Sequence, residues 1–270
     1  MRDLTLGQFI PGESCIHKLD PRTKIVLMIA YIVMVFLVNS VFTFLIPLAF
    51  VIIVLLLSRI RVSYMWKSIR PLRWLIIFMF ILNLFFTKGE PIWDVFLLRY
   101  VSINGIRQSV FITFRLVFLV TGTSLMTLTT SPISLTDGLE RLLAPLKVLR
   151  FPSHELAMMM TIALRFIPTL MEEADKIKKA QMARGADFES GNLIKRAKNM
   201  IPLLIPLFVS AFRRADELAM AMESRCYHGG DGRTRMHSMS FGINDLIAAL
   251  FVALLIALVI LVQNLFILPW

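Results

Sequence analysis

Ile25 to Ser58 is a run of 34 residues without one charged side chain. As a single helix it would reach about 51 Å at about 1.5 Å per residue, far beyond a hydrocarbon core of about 30 Å. The polar pair Asn39-Ser40 in mid-run instead predicts a tight hairpin of two short spans, about 25–40 and 42–58. A third span, about 72–87, covers the apolar run Trp74 to Thr87, with Arg70 and Arg73 placed to snorkel beside it. The fourth covers 106–129, and the last charge-free run is Leu246 to Trp270. Composition agrees: 57% of residues are apolar and 17% charged, with mean hydropathy +0.73. A soluble domain has about 45–50% apolar and about 25% charged residues, so an ordinary soluble enzyme is excluded. The predicted fold class is all-α, a polytopic membrane protein with about five transmembrane helices and long cytoplasmic helices besides.

The net charge of +11 is distributed with respect to these spans. Arg2, Lys18, Arg22 and Lys24 precede the first span, and Arg59, Arg61, Lys67, Arg70 and Arg73 follow the second. The third-to-fourth loop has only Lys88, Arg99 and Arg107, and the first hairpin turn has none. Positive residues mark the cytoplasmic side, which predicts N-terminus inside and C-terminus outside. Asp3, Glu13 and Asp20 interrupt the N-terminal arm, unlike a cleavable signal peptide. The basic residues form no stripe interleaved with aromatics, so no nucleic-acid partner is expected. Cys15 and Cys226 lie far apart without metal-type spacing and read as free thiols.

Three regions follow: a membrane domain of four spans over 1–130, a charged segment over 131–240, and the final span within 241–270. The middle segment holds 16 Lys and Arg and 12 Asp and Glu, and it lies on the inside by the same charge count. Pro132 ends the fourth span, and Ser134 with Asp137 resembles a capping box for a short helix. Pro152-Ser153 opens a longer helix to about Ala183, with Pro168 as a kink. Another runs from about Leu193 to Arg225 with bends at Pro202 and Pro206, before a loop marked by Gly229, Gly230 and Gly232.

A short repeat relates these two long helices at an offset of 41. Ala174-Asp175, Ala180 and Arg184 recur as Ala215-Asp216, Ala221 and Arg225. Each arginine falls at the C-terminal end of a helix. The plain reading is a cation favoured by the helix dipole, about 0.3–1 kcal/mol each. The functional reading is two similar plugs for two acidic sockets, since the guanidinium fork binds carboxylates bidentately and never titrates. Spacing leaves both open. Asp175 with Lys179 would form a local ion pair.

The opening Gly12 to Lys24, with His17-Lys18-Leu19-Asp20-Pro21-Arg22-Thr23-Lys24, resembles the start of the T components of energy-coupling factor (ECF) transporters. Thr129-Thr130-Ser131-Pro132, Arg165-Phe166-Ile167-Pro168, Ala180-Gln181-Met182-Ala183-Arg184-Gly185 and Ala219-Met220-Ala221-Met222-Glu223-Ser224-Arg225 resemble later signatures of that family, in order. The resemblance implies the non-catalytic membrane scaffold of an importer for vitamins or other micronutrients, multi-pass in a prokaryotic cell membrane. Its implied partners are two ABC-type ATPases and one substrate-binding S component, interchangeable among several kinds. It further implies that two coupling helices dock on the ATPases through Ala-Arg-Gly-type triplets. Here these are Ala183-Arg184-Gly185 and Ser224-Arg225-Cys226. The second departs from the pattern, because a cysteine adopts a left-handed cap less readily than glycine. Unequal triplets lean towards two different ATPases. The apolar faces around Leu156 to Leu170 and Asn199 to Phe212 would carry the S component, with Met158, Met159, Ile162, Leu203 and Leu207 as contacts.

The chain has no Gly-x-x-x-x-Gly-Lys-Ser/Thr loop, so ATP and Mg would be used by the partner chains and no cofactor is expected here. His17, His154, His228 and His237 show no metal-type spacing, and no metal site is expected. Arg115 is the clear charge within a span and would snorkel or pair locally. Ten of the 16 Met lie in the charged segment, where flexible thioethers would suit a surface that repacks against several partners. A stand-alone channel or carrier is the competing class, and it would transport without ATPases.

Overall fold

The computed structural model describes residues 9–40, 42–87, 102–145, 152–188, 190, 192–229 and 240–265. Lys88 and Arg99 of the third-to-fourth loop, Gly230, Gly232 and His237 of the glycine-rich loop, and the end of the last apolar run lie outside them. The chain divides into two compact units, Met1–Leu139 with Met239–Trp270, and Glu140–Ser238.

In the first unit the charge-free run divides into two helices. Helix α1 (Pro21–Leu37) starts where Asp20 caps it: the carboxylate accepts the Arg22 backbone N–H at 2.9 Å, and Pro21 needs no such partner. The helix stops at Leu37, ahead of Asn39-Ser40, and a 3-10 turn at Phe42–Phe44 leads into α2 (Leu45–Ser58). The expected loop after α2 contains instead a short amphipathic helix, α3 (Val62–Ile69), which buries Met65 and leaves Trp66 exposed. A turn at Arg70–Leu72 then joins it to α4 (Arg73–Phe86). Helix α5 (Ile103–Thr129) begins before the expected 106, because the Ser102 hydroxyl caps it by accepting the Gly105 N–H at 2.8 Å. Helix α6 (Pro132–Leu143) also differs from expectation. Its cap is Ser131, whose hydroxyl accepts the Ser134 N–H at 3.1 Å, so Ser134 lies inside the first turn rather than opening it. Pro132 therefore starts a helix, as proline does well at the first position.

Val62–Phe86, Ile103–Thr129 and α9 (Ile243–Leu265) are long and apolar enough to cross a membrane, and Phe42–Ser58 is a shorter apolar helix. The chain is an all-α membrane protein. Tyr31, Met34, Val35 and Val38 of α1 are almost wholly buried at its centre, with Phe118, Leu125 and Leu128 of α5 and Val259 of α9. Gly122 makes this possible: a Cβ there would stand 2.2 Å from the Tyr31 ring. The Tyr31 hydroxyl in turn donates to the Phe118 carbonyl at 2.9 Å. Gly105 serves the α4–α5 contact in the same way, with the Leu84 carbonyl 2.9 Å from where its Cβ would be. Lipid is the natural cover for apolar side chains left exposed on the spanning helices.

Arg115 does pair locally. Its Nη2 donates to the Val38 carbonyl at 3.0 Å and the Phe36 carbonyl at 3.4 Å, between the Phe36 and Phe111 rings. It thus satisfies the last carbonyls of α1, where the helix dipole favours a cation. Gln263 of α9 joins it by donating to the Leu37 carbonyl.

At the other end of α1 the Asp20-to-Lys24 signature builds a buried polar node. The Asp20 N–H donates to Asp245 Oδ1 at 2.9 Å, and Gly242 N–H donates to Asp245 Oδ2 at 2.8 Å. Arg22 forks onto the Asp20 carboxylate, with Nη2 2.7 Å from Oδ2, and lies over the Phe241 ring. Lys24, 7% exposed, donates to the Thr129 carbonyl at 3.0 Å and the His17 carbonyl at 3.2 Å. Both imidazole nitrogens of His17 are used: Nε2 donates to the Ile10 carbonyl at 3.1 Å, so Nδ1 accepts from the Ser14 hydroxyl at 2.6 Å. Burial, more than the Lys24 charge, pulls this imidazole below its ordinary pKa, against the opposing bond to Ile10. The signature thus ties the N-terminal arm, the end of α5 and the start of α9 to the foot of α1.

In the second unit α7 (Ser153–Ala183) and α8 (Leu193–Ser224) pack on each other. Glu173 pairs with Arg214 and Ser210, Gln181 with Pro202, and Asp187 with Asn199. Numbers rising along α7 meet numbers falling along α8, so the helices run antiparallel. His154 Nδ1 lies 3.0 Å from Glu140 Oε1 beside the start of α7.

Candidate functional site

The candidate site residues stand at two helix ends, and the backbone there is the same. Arg184 is the C-cap of α7, and Gly185 follows in the left-handed region at φ 88°. Gly185 N–H donates to the Met182 carbonyl at 3.0 Å and Ala186 N–H to the Gln181 carbonyl at 2.9 Å. This pair of crossed bonds is the Schellman closure. Arg225 is the C-cap of α8, with Cys226 following at φ 56°. Cys226 N–H donates to the Glu223 carbonyl at 2.9 Å and Tyr227 N–H to the Met222 carbonyl at 3.0 Å. The closure is therefore kept without the glycine, and Cys226 adopts the conformation that glycine takes more cheaply. His228 Nδ1 also donates to the Cys226 carbonyl at 2.8 Å.

Ala183, Arg184, Gly185, Ser224, Arg225 and Cys226 are all exposed. Neither arginine side chain has a partner among the described residues. Each guanidinium stands free at the negative end of a long helix, able to fork onto a carboxylate. The antiparallel pairing sets them apart: Arg184 lies at the end where the helices are joined, and Arg225 at the far end of α8. They form two sites rather than one.

What links the arms differs from the expected local pair. Asp175 and Lys179 do not pair among the described residues. The link is Glu173 to Arg214, 2.7 Å apart, reinforced by the Ser210 hydroxyl donating to Glu173. These two residues are themselves equivalent under the 41-residue offset, and they mark where the antiparallel arms cross. The Ser210 hydroxyl, and then the Arg214 charge, hold the Glu173 carboxyl below its usual value. A second link arises from the prolines. Pro206 has no N–H for the Pro202 carbonyl one turn before it, and Gln181 Nε2 of α7 reaches that carbonyl at 3.4 Å.

Of the expected apolar contacts, Met159 is 54% exposed, while Met158, Ile162, Leu203 and Leu207 are partly covered. The open stripe on α8 is Ile201, Ile205, Phe208, Val209 and Phe212, spaced along one face at helical period. Helix α8 has no buried side chain among its described residues. No group of three His, Cys, Asp or Glu able to hold a metal occurs among the described residues. Sequence reasoning missed Asp245, whose only signal was an acid immediately before the last charge-free run.

The family model CbiQ, described as cobalt transport protein, matches residues 12–238. The chain is 55% identical over 255 residues to the energy-coupling factor transporter transmembrane protein EcfT of Thermosediminibacter oceani, covering 94% of this chain and 96% of that protein. It is 49% identical over 241 residues to the EcfT of Bacillus subtilis, covering 88% and 90% of the two chains. With the EcfT of Lactococcus lactis it shares 44% over 263 residues, covering 97% and 98%. Signatures, all-α membrane architecture and relatives converge, and the chain belongs to the family of energy-coupling factor transporter transmembrane proteins.

Proposed function

We propose that this chain is the scaffold through which a pair of ABC-type ATPases drives a substrate-binding S component in vitamin or micronutrient import. The observation that carries the reading is the pair of matched helix ends, each presenting an unpartnered arginine on the same Schellman closure. Arg184 and Arg225 anchor one ATPase each, and the difference between Gly185 and Cys226 suits two different ATPases. ATP and Mg are bound by those partners. Closure of the ATPase pair moves the anchors, and the Glu173–Arg214 and Gln181–Pro202 links carry that movement from one arm to the other. The apolar stripe of α8, with Met158 and Met159 of α7, holds the S component and reorients it. Such coupling requires contacts that differ between the two states, since an effector that binds both equally shifts nothing.

The test is co-purification of the tagged chain in mild detergent, with each partner identified and counted. Two ATPase chains and one small membrane protein are expected with the wild type, and loss of the ATPases with Arg184→Ala/Arg225→Ala. Truncating a desolvated, paired arginine costs about 2–5 kcal/mol, enough to dissolve the assembly. Full retention of the ATPases and normal uptake in that variant would move the anchors elsewhere. A chain that purifies alone and transports alone would be a carrier, and the scaffold reading would fail.

A further inference from the structure

Within the first unit, an apolar cleft of about 420 Å³ is walled by α1, α2, α5 and α9. Met28, Tyr31, Phe50, Val54, Met126 and Phe251 are among its walls, and Lys24 is the one charged side chain among the lining residues described. Lys24 is already committed to the carbonyls of His17 and Thr129. A more polar cavity of about 700 Å³ is lined by Ser14, His17, Arg59, Arg61 and Tyr64. Cys15 and Leu57 stand in the walls of both, so the basic cavity adjoins the apolar cleft and forms its mouth. Either volume lies within the range of about 300–1,000 Å³ that holds a small amphiphile.

The mouth sits at the depth of lipid phosphates. Ser58 ends the charge-free run, Arg59 and Arg61 follow immediately, and Tyr64 and Trp66 lie just beyond, as in an interfacial aromatic belt. Arg59 occupies the left-handed region at φ 55°, a conformation that glycine adopts freely and a residue with a Cβ does not. Neither the Arg59 nor the Arg61 guanidinium has a partner among the described residues. Glu13 is the one carboxylate in this wall, which leaves the mouth net positive.

We propose that the two adjoining cavities together bind one anionic phospholipid, with an acyl chain in the apolar cleft and the phosphate against Arg59 and Arg61. The cleft requires an apolar tail, which free phosphate lacks. The mouth favours a net negative headgroup, because a zwitterionic one returns a cation to the same two arginines. Basic pockets at the ends of membrane helices select anionic lipids by this physics. The inference is independent of the scaffold role.

The full-length chain, stripped of native lipid in mild detergent, is titrated by native mass spectrometry with dioleoylphosphatidylglycerol, dioleoylphosphatidylcholine, oleate and inorganic phosphate. One phosphatidylglycerol per chain is expected, bound about tenfold or more tightly than phosphatidylcholine. Arg59→Gln/Arg61→Gln, at exposed positions, removes that preference, and Ala248→Phe in the cleft wall removes the tight site. Circular dichroism checks that each variant is folded, and if Ala248→Phe is not, the arginine variant decides. Equal binding of the two lipids, undiminished preference in the arginine variant, competition by phosphate alone, or oleate binding as tightly as phosphatidylglycerol would each overturn the proposal.

Discussion

At the scale of single residues, the most informative comparison is between Gly185 and Cys226. Both hold the same position after a helix and make the same backbone bonds, at φ 88° and 56°. A Cβ at Gly185 would meet nothing within 4 Å, so any cost of substitution there is conformational rather than steric. We therefore expect Cys226→Gly to stabilise its helix end by about 0.5–1 kcal/mol, and Gly185→Ala to destabilise the other by about 1 kcal/mol or more. Hydrogen exchange reads this locally: the Tyr227 amide should exchange about 2–5-fold more slowly in the first variant, and the Ala186 amide faster in the second. Unchanged rates would mean that cysteine is at no disadvantage in this cap. The helix ends at Arg184 and Arg225 were legible in the sequence because a cap needs only local residues. Asp245 was not, since its partner Asp20, far away in sequence, meets it only when the last helix returns to the first.

At the scale of elements, lengths and breaks followed from charge and proline, and connections between helices did not. The first helix stops before Asn39-Ser40, α7 starts after Pro152 and ends before Arg184-Gly185, and α8 ends before Arg225. The amphipathic α3 was hidden in a stretch that reads as a basic loop, because its face is set by Met65 packing inward. The links between α7 and α8 were also hidden: local spacing suggested Asp175 with Lys179, while the fold pairs Glu173 with Arg214. The proline link gives a sharp expectation. Pro206→Ala restores an N–H to the Pro202 carbonyl and should raise the stability of α8, by up to about 3 kcal/mol, the cost of an interior proline. It also releases Gln181, so thermal stability in detergent should rise while ATP-driven uptake falls. Gln181→Ala should lower uptake in the wild type and add little in the Pro206→Ala background. Additive losses in the double variant would show that Gln181 acts elsewhere.

At the scale of the whole molecule, helix length and charge together bear on how many times the chain crosses the bilayer and on which side each loop lies. Among the described residues, three helical stretches are long enough to cross without help, at 25, 27 and 23 residues. Helices α1 and α2 have 17 and 14, or about 26 and 21 Å at about 1.5 Å per residue, a little short of a core of about 30 Å. A pair that short either thins the bilayer locally and crosses, or dips in and returns. The charge pattern favours crossing, since the turn carries no Lys or Arg and both flanks are basic. Arg115 favours it too, because a cation bonded to the Val38 carbonyl is most readily hydrated if that end of the hairpin reaches water. The chain carries its own controls in Cys15 and Cys226, both exposed and both on the inside by the same reading. In intact cells a membrane-impermeant maleimide should label Ser40→Cys, and both native cysteines should react only after the membrane is opened. Labelling of Ser40→Cys only after opening would make the hairpin re-entrant and leave three crossings, while labelling of Cys15 or Cys226 in intact cells would invert the orientation.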